Sequence, residues 1–178
     1  EHWEDIYSSK AVTEVSWYQK DPRLSLKLIR DFAPSQGGCF LDVGGGASVL
    51  VDSLLNLDFE RVVVLDISQT ALKKAKERLG ERARMVEWMA ADVTEARDLG
   101  MFDLWHDRAV FHFLTDENER RKYVELATRS IPTGGHLVIG TFADDGPTVC
   151  SNLTVRRYNA ASMAAELGRA FALVEEAH

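Results

Sequence analysis

The sequence predicts an α/β fold: a doubly wound, mostly parallel sheet of the seven-stranded type with helices on both faces. Three observations predict it. Strand-like apolar runs alternate with segments of helical periodicity along the chain. A glycine turn, Gly44-Gly45-Gly46, follows directly on the run from Cys39 to Val43. Three carboxylates, Asp42, Asp66 and Asp92, recur one strand–helix unit apart, at or just after the ends of successive strand-like runs. In a parallel sheet such ends line one crevice, where ligands bind at the topological switch point.

The elements follow in order. Asp21-Pro22 is a helix start, a cap and then a first-turn proline, and Leu24, Leu26, Leu28, Ile29 and Phe32 carry the helix to Pro34. Gln36-Gly37-Gly38 turns into a strand from Cys39 to Val43. Val49, Leu50, Leu54, Leu55 and Leu57 give Ser48 to Leu57 the apolar face of a helix. Arg61 to Asp66 is almost continuously apolar, as strands buried on both faces are. Ser68 caps a helix from Gln69 to Leu79, in which Ala71, Leu72, Ala75 and Leu79 keep helical spacing. Met85 to Met89 and Phe102 to His106 read as the third and fourth strands. Thr115 or Asp116 caps a charged helix to about Ser130. Pro132-Thr133-Gly134-Gly135 is turn chemistry leading into a strand from His136 to Phe142. A looser stretch, Ala143 to Tyr158, precedes a helix from Ala160 to Leu167 and a last strand from Phe171 to Glu175. That strand would leave an unpaired edge, so an antiparallel partner is expected from chain continuing past His178.

Bulk properties place all of this in one domain of 178 residues, a helical prelude over 1–34 and a core over 39–178. A net charge of −7 lacks the basic footprint of a nucleic-acid binder. Cys39 and Cys150 match no zinc spacing, so no metal site is expected, and a reduced, cytoplasmic setting is the simplest account of them. No apolar run is long enough to span a bilayer, and nothing at the start reads as a signal peptide.

The glycine loop admits two cofactor classes. Nicotinamide enzymes use G-x-G-x-x-G for a pyrophosphate at a helix N-terminus, but the third glycine would fall at Val49. Asp42, two residues before Gly44, would also repel a pyrophosphate and welcome a cation. Asp66 serves either ribose, whereas Asp92 is placed to accept from an adenine amino group. A ligand rich in hydroxyl and amino donors that also carries a cation fits all three, and S-adenosylmethionine is such a ligand.

The string Leu41-Asp42-Val43-Gly44-Gly45-Gly46, followed by Asp66 and Asp92 in order, resembles the class I, Rossmann-like S-adenosylmethionine-dependent methyltransferases over nearly the whole chain. Ser48 stands where a third glycine often occurs. The resemblance implies that Gly44 and Gly46 approach the cofactor and that Asp66 grips both ribose hydroxyls. It implies that Ile67 packs on adenine, and that Asp92 and the Val93 amide bond its edge. The segment Phe102 to Leu114 looks like the family's fourth-strand motif, with Asp107 meeting the methionine ammonium through backbone or side chain.

Methyl transfer is an in-line displacement, so much of the catalysis is positioning and exclusion of water. A base is needed only for an acceptor that arrives protonated, and Asp107 and His112 are the candidates. His106 falls on the strand face opposite Asp107 and reads as a satisfied core histidine. Trp3, Tyr7, Trp17 and Tyr18 put four rings before the first strand, either as packing or as a cover whose faces attract the cofactor's cation; Trp17 is a cofactor-binding candidate on this ground. Arg156 and Arg157 either hold an anionic group or are solvated. No Asn/Asp-Pro-Pro-aromatic string and no Pro-Cys pair points to a nucleobase acceptor. The strings Trp105 to Leu114 and Arg156-Arg157-Tyr158 are similar to methyltransferase-domain proteins that in places resemble small-molecule and protein-lysine enzymes. A small-molecule acceptor is favoured, with protein lysine second. A nicotinamide oxidoreductase and a binding-only module are the alternatives of other classes.

Overall fold

The computed structural model describes residues 2–15 and 17–178. Five strands, β1 (Cys39–Val43), β2 (Arg61–Asp66), β3 (Glu87–Ala90), β4 (Leu104–Arg108) and β5 (His136–Gly140), form one sheet in the order β3-β2-β1-β4-β5. Every neighbouring pair is parallel. From β1 the chain builds outward first through β2 and β3, then returns to the other side with β4 and β5. The switch point therefore lies between β1 and β4.

Strand alternation divides the core. Leu41 and Val43 of β1 join Val63, Leu65 and Trp105 on one face, where Tyr123, Leu126 and Ala127 of α5 (Glu117–Ser130) cover them. Phe40 joins Val62, Val64 and Leu104 on the other. That face is covered by α2 (Arg23–Phe32), α3 (Leu50–Leu54) and α4 (Gln69–Leu79) through Ile29, Leu54 and Leu72. Each such large apolar side chain stabilises the fold by roughly 1.5–3 kcal/mol relative to exposure. With both faces covered, a polar residue in β1, β2 or β4 must find a partner or a ligand.

The caps behave as their chemistry dictates. Ser68 Oγ accepts from the Ala71 amide at 3.1 Å, and Asp116 accepts from Asn118 and Glu119. An N-terminal helix, α1 (His2–Ser9), lies against α4. Its Glu4 accepts from the Ser68 hydroxyl at 2.7 Å and from the Thr70 hydroxyl and amide, a carboxylate at the positive end of α4. Lys74 of α4 donates in return to the Tyr7 carbonyl and, at 2.8 Å, to that of Lys10, at the negative end of α1.

Several boundaries differ from the sequence reading. The helix expected over Ser48 to Leu57 is only Leu50–Leu54, because the glycine loop continues through Ser48 and Val49. The third and fourth strands each start two residues later than expected. In the fourth, the Asp103 carboxylate is used to hold the Cys39 amide at 2.8 Å before the ladder begins. The stretch before α6 (Ala160–Leu167) contains a small antiparallel ribbon, β6 (Val149–Cys150) and β7 (Leu153–Thr154). Ser151 and Asn152 both have positive φ there, the geometry of a two-residue hairpin turn. The expected strand from Phe171 to Glu175 does not form: Leu173 and Val174 are exposed and the segment has no ladder partner among the described residues. A short apolar run without a neighbouring strand and a buried face is insufficient to make one.

Candidate active site

The loop after β1 is shaped by contacts that tolerate no Cβ. Gly44 has φ +69°, and a Cβ there would lie 2.1 Å from Val110 Cγ2, behind β4. A Cβ on Gly46 would lie 2.3 Å from Asp66 Oδ2. The loop backbone is thus pressed against the tips of β2 and β4 at once.

Asp66 ends β2 and is 6 % exposed. One oxygen accepts from the Ser68 amide at 2.8 Å. Burial pushes its pKa up to about 6, against the Ser68 and Gly46 amides, which pull it down. Asp66, Ile67, Asp92 and Val93 line a single cavity of about 180 Å³. Ile67 is 51 % exposed, an apolar side chain left at the rim. Asp92 turns one oxygen onto the Thr94 amide and hydroxyl, at 2.8 and 2.7 Å. The Val93 amide has no acceptor among the described residues.

Asp42 points to the same side of the sheet as Phe40 and Val64, and the register pairs it directly with His106 of β4. His106 Nδ1 lies 2.7 Å from Asp42 Oδ1, and Nε2 lies 2.9 Å from Ser25 Oγ of α2. All three residues are buried, and Asp42 Oδ2 has no partner among the described residues. Ser25, Asp42 and His106 line a second, smaller cavity together with Gly44, Gly45 and Arg108. His106 is indeed a satisfied core histidine, but what satisfies it is a candidate site carboxylate.

The remaining two candidates are placed differently. The Asp107 carboxylate is completely buried, accepting from Tyr123 Oη at 2.7 Å and from the Val110 and Phe111 amides. It caps the turn in which Ala109 takes φ +72°. Burial raises its pKa to about 6. It lines neither cavity, and its carboxylate is committed to these three donors. His112 is 1 % exposed and stacks on Phe142 at 5.0 Å, with no partner for either ring nitrogen among the described residues. Burial lowers its pKa to about 4, and it too lies outside the residues lining the cavities.

The N-terminal rings close over the larger cavity. Trp3 and Trp17 meet edge to face at 5.6 Å, Trp3 and Phe113 at 4.9 Å, and Trp17 Nε1 donates to Tyr7 Oη at 3.1 Å. All four line that cavity. Arg108 borders both cavities and donates to the Trp17 carbonyl at 2.7 Å. Among the described lining residues it supplies the cation. Burial pulls its pKa down, and the neighbouring Asp42 opposes this. The sequence reading missed Arg108, Ser25 and Cys150 as wall residues. Strand alternation puts Arg108 on the face of Asp42, but Ser25 and Cys150 arrive from distant segments that no local pattern links to the site. Arg156 pairs with Glu166 at 3.2 Å and Arg157 donates to the Gly146 carbonyl, both away from these cavities. No helix among the described residues is long and apolar enough to cross a membrane.

A family profile described as a methyltransferase domain matches residues 41–139, more than half of the chain. Nodulation protein S of Rhizobium tropici is 30 % identical over 104 residues, 58 % of this chain and 43 % of that protein. The eEF1A lysine and N-terminal methyltransferase of Mus musculus is 27 % identical over 121 residues, 67 % of this chain and 17 % of that one. The chain thus spans less than half the length of these curated relatives. Among solved structures, N-methyltransferase NodS from Bradyrhizobium japonicum WM9, in complex with S-adenosyl-l-homocysteine, superposes with a TM-score of 0.67 at 22 % identity. The match covers 81 % of this chain and 75 % of that one, and shows the same fold. With its glycine loop, its acidic strand ends and its parallel sheet, the chain belongs to the methyltransferase-domain family of the class I, S-adenosylmethionine-dependent fold.

Proposed function

We propose that the chain binds S-adenosylmethionine in the two adjoining cavities and transfers its methyl group to a small-molecule nucleophile, an amine foremost. The observation that carries this reading is the wall shared by Asp66, Ile67, Asp92 and Val93 beside a loop that admits no Cβ. The fit can be judged from what the protein leaves unsatisfied. Asp92 Oδ2 and the Val93 amide have no partners among the described residues, and Asp42 Oδ2 is a buried orphan. These groups would take an adenine edge and an ammonium, Asp66 the ribose hydroxyls, and Ile67 the adenine face. Trp17 would close the site from the N-terminal side.

When bound, the cofactor supplies a methyl group activated on a sulfonium. The protein then positions and excludes water. Trp3, Tyr7, Trp17 and Phe113 turn ring edges and faces into a largely apolar space, where a sulfonium is favoured by up to ~2 kcal/mol per well-placed ring when desolvated. The acceptor must present a lone pair, because that pair makes the new carbon–heteroatom bond while the sulfur keeps the electrons of the old one. An amine therefore reacts in its neutral form and its surplus proton leaves to solvent. His112, at about 4, is too weak a base to strip an alkylammonium and is left as a packing residue in this reading. Asp107 likewise acts by holding the β4 tip. The amine preference is supported by the names of the relatives, nodulation protein S with its N-methyltransferase structures and the eEF1A enzyme.

Incubation with methyl-labelled cofactor and parallel panels of small amines, thiols, phenols and proteins tests the proposal. Label in a small amine supports it. Label only in protein lysines, or in none of the panels although the cofactor binds, contradicts the acceptor assignment.

A further inference from the structure

We propose that His106 and Ser25 are positioning residues for the cofactor's amino-acid end: His106 holds one oxygen of Asp42 so that the other is left for a ligand ammonium. The inference rests on the cofactor reading above and adds two residues to it.

A carboxylate with one oxygen orphaned in a dry interior is costly, about 1–3 kcal/mol or more for a charged group. Asp42 is 2 % exposed, and Oδ2 has no partner among the described residues. The rest of the carboxylate is over-determined. Its Oδ1 lies 2.7 Å from His106 Nδ1, its cross-strand partner in the ladder. The imidazole is fixed in turn by Ser25 Oγ, 2.9 Å from Nε2, and by Phe40, stacked at 6.3 Å. With Nδ1–H donating to Oδ1, the carboxylate cannot rotate to satisfy Oδ2 internally. Oδ2 lies beneath Gly45, where a Cβ would come within 2.3 Å of it. A side chain at position 45 would be driven into that oxygen, on the side where Asp42 borders the smaller cavity.

The arrangement spans three elements, with Ser25 in the first turn of α2, Asp42 at the end of β1 and His106 in β4. Side chains that only fill a core between helix and sheet would be apolar, as Phe40 and Leu104 are on the same face. Arg108 is drawn to Asp42 but spends a donor on the Trp17 carbonyl, so it does not neutralise Oδ2 in this structure.

The test compares S-adenosylhomocysteine, which has the ammonium, with methylthioadenosine, which keeps the nucleoside and lacks the amino acid. Calorimetry is run on the full chain as wild type, His106→Leu, His106→Asn and Ser25→Ala. The asparagine amide can take the place of Nδ1–H. The expected result is that His106→Leu weakens S-adenosylhomocysteine by about tenfold or more, the worth of a charged hydrogen bond, and leaves methylthioadenosine within about twofold. His106→Asn restores most of the loss, and Ser25→Ala falls between. If both ligands weaken together, or neither weakens, His106 is merely structural and the proposal fails. Should His106→Leu not fold, His106→Asn and Ser25→Ala decide by the same ratio. A wild type that binds neither ligand overturns the cofactor reading itself, whereas wild-type binding with an unmoved ratio overturns only this inference.

Discussion

The Tyr123 hydroxyl donates to the Asp107 carboxylate across 2.7 Å, with both side chains entirely buried. Trp105 Nε1 donates to the same hydroxyl at 2.9 Å. This chain of donors, with the Val110 and Phe111 amides, fixes the tip of β4 against which Gly44 packs.

Tyr123→Phe should therefore destabilise the fold by about 1–3 kcal/mol, the cost of an unsatisfied buried acceptor. Asp107 is raised from near 3.8 to about 6, so the stability it contributes is complete below about pH 4 and is lost as pH rises through 6. Without the tyrosine donor the ionised form is stabilised less. Urea unfolding should show the larger difference from wild type at pH 8 than at pH 4.5; a constant difference would remove Asp107 from the explanation.

Asp66 sits at about 6 for the same physical reason, but its partners in the bound state would be ribose hydroxyls. Those donors favour the carboxylate, so the bound pKa lies lower than the free one. Affinity for S-adenosylhomocysteine should be flat above about pH 7 and fall below pH 6, approaching ~tenfold per unit. Asp66→Asn should flatten the curve and weaken binding throughout. An unchanged slope in that variant assigns the titration to another group.

At Gly46 an added methyl would meet the Asp66 carboxylate rather than a flexible apolar chain end. Gly46→Ala should cost about 1–3 kcal/mol of stability through overpacking. Cofactor affinity should drop at least as far as in Asp66→Asn. Thermal unfolding with and without ligand separates the two effects, and retained affinity would mean that the carboxylate can move freely.

Glu4 ties the aromatic cover to the serine whose amide holds Asp66. Glu4→Ala should loosen α1, speeding amide exchange over residues 2–9 and raising the cofactor Kd severalfold. Raising the salt concentration should do the same in the wild type, since the contact is partly electrostatic. Exchange rates unchanged in both cases would leave apolar packing of Tyr7 and Trp3 as the anchor.

Much of this was legible beforehand, for reasons that differ by residue. Asp42, Asp66 and the glycines stand where strand ends and a turn are written locally, so periodicity and spacing place them. Ser68 declares its helix by capping chemistry and apolar spacing together, and of Thr115 and Asp116, both open in the sequence, the structure uses Asp116. The pairing of Asp42 with His106 needed the register of β1 on β4, which depends on strand order and not on any local pattern. The ribbon around Ser151 and Asn152 hid because neither is glycine, although both adopt positive φ. Phe171 to Glu175 misleads because a short apolar run reports strand propensity and says nothing of a partner. The place of Asp107 and His112 after a run of strand residues makes them candidates in the sequence, while burial, which no single position reveals, takes both side chains away from the cavity walls.

The most direct test is calorimetric titration of the full chain and of Asp66→Ala with S-adenosylhomocysteine, with NAD in parallel. The account predicts that S-adenosylhomocysteine binds the wild type, that Asp66→Ala weakens it by about tenfold or more, as loss of hydrogen bonds to a carboxylate should, and that NAD gives no heat. Binding of NAD alone, or an Asp66→Ala affinity within about twofold of the wild type, would contradict it.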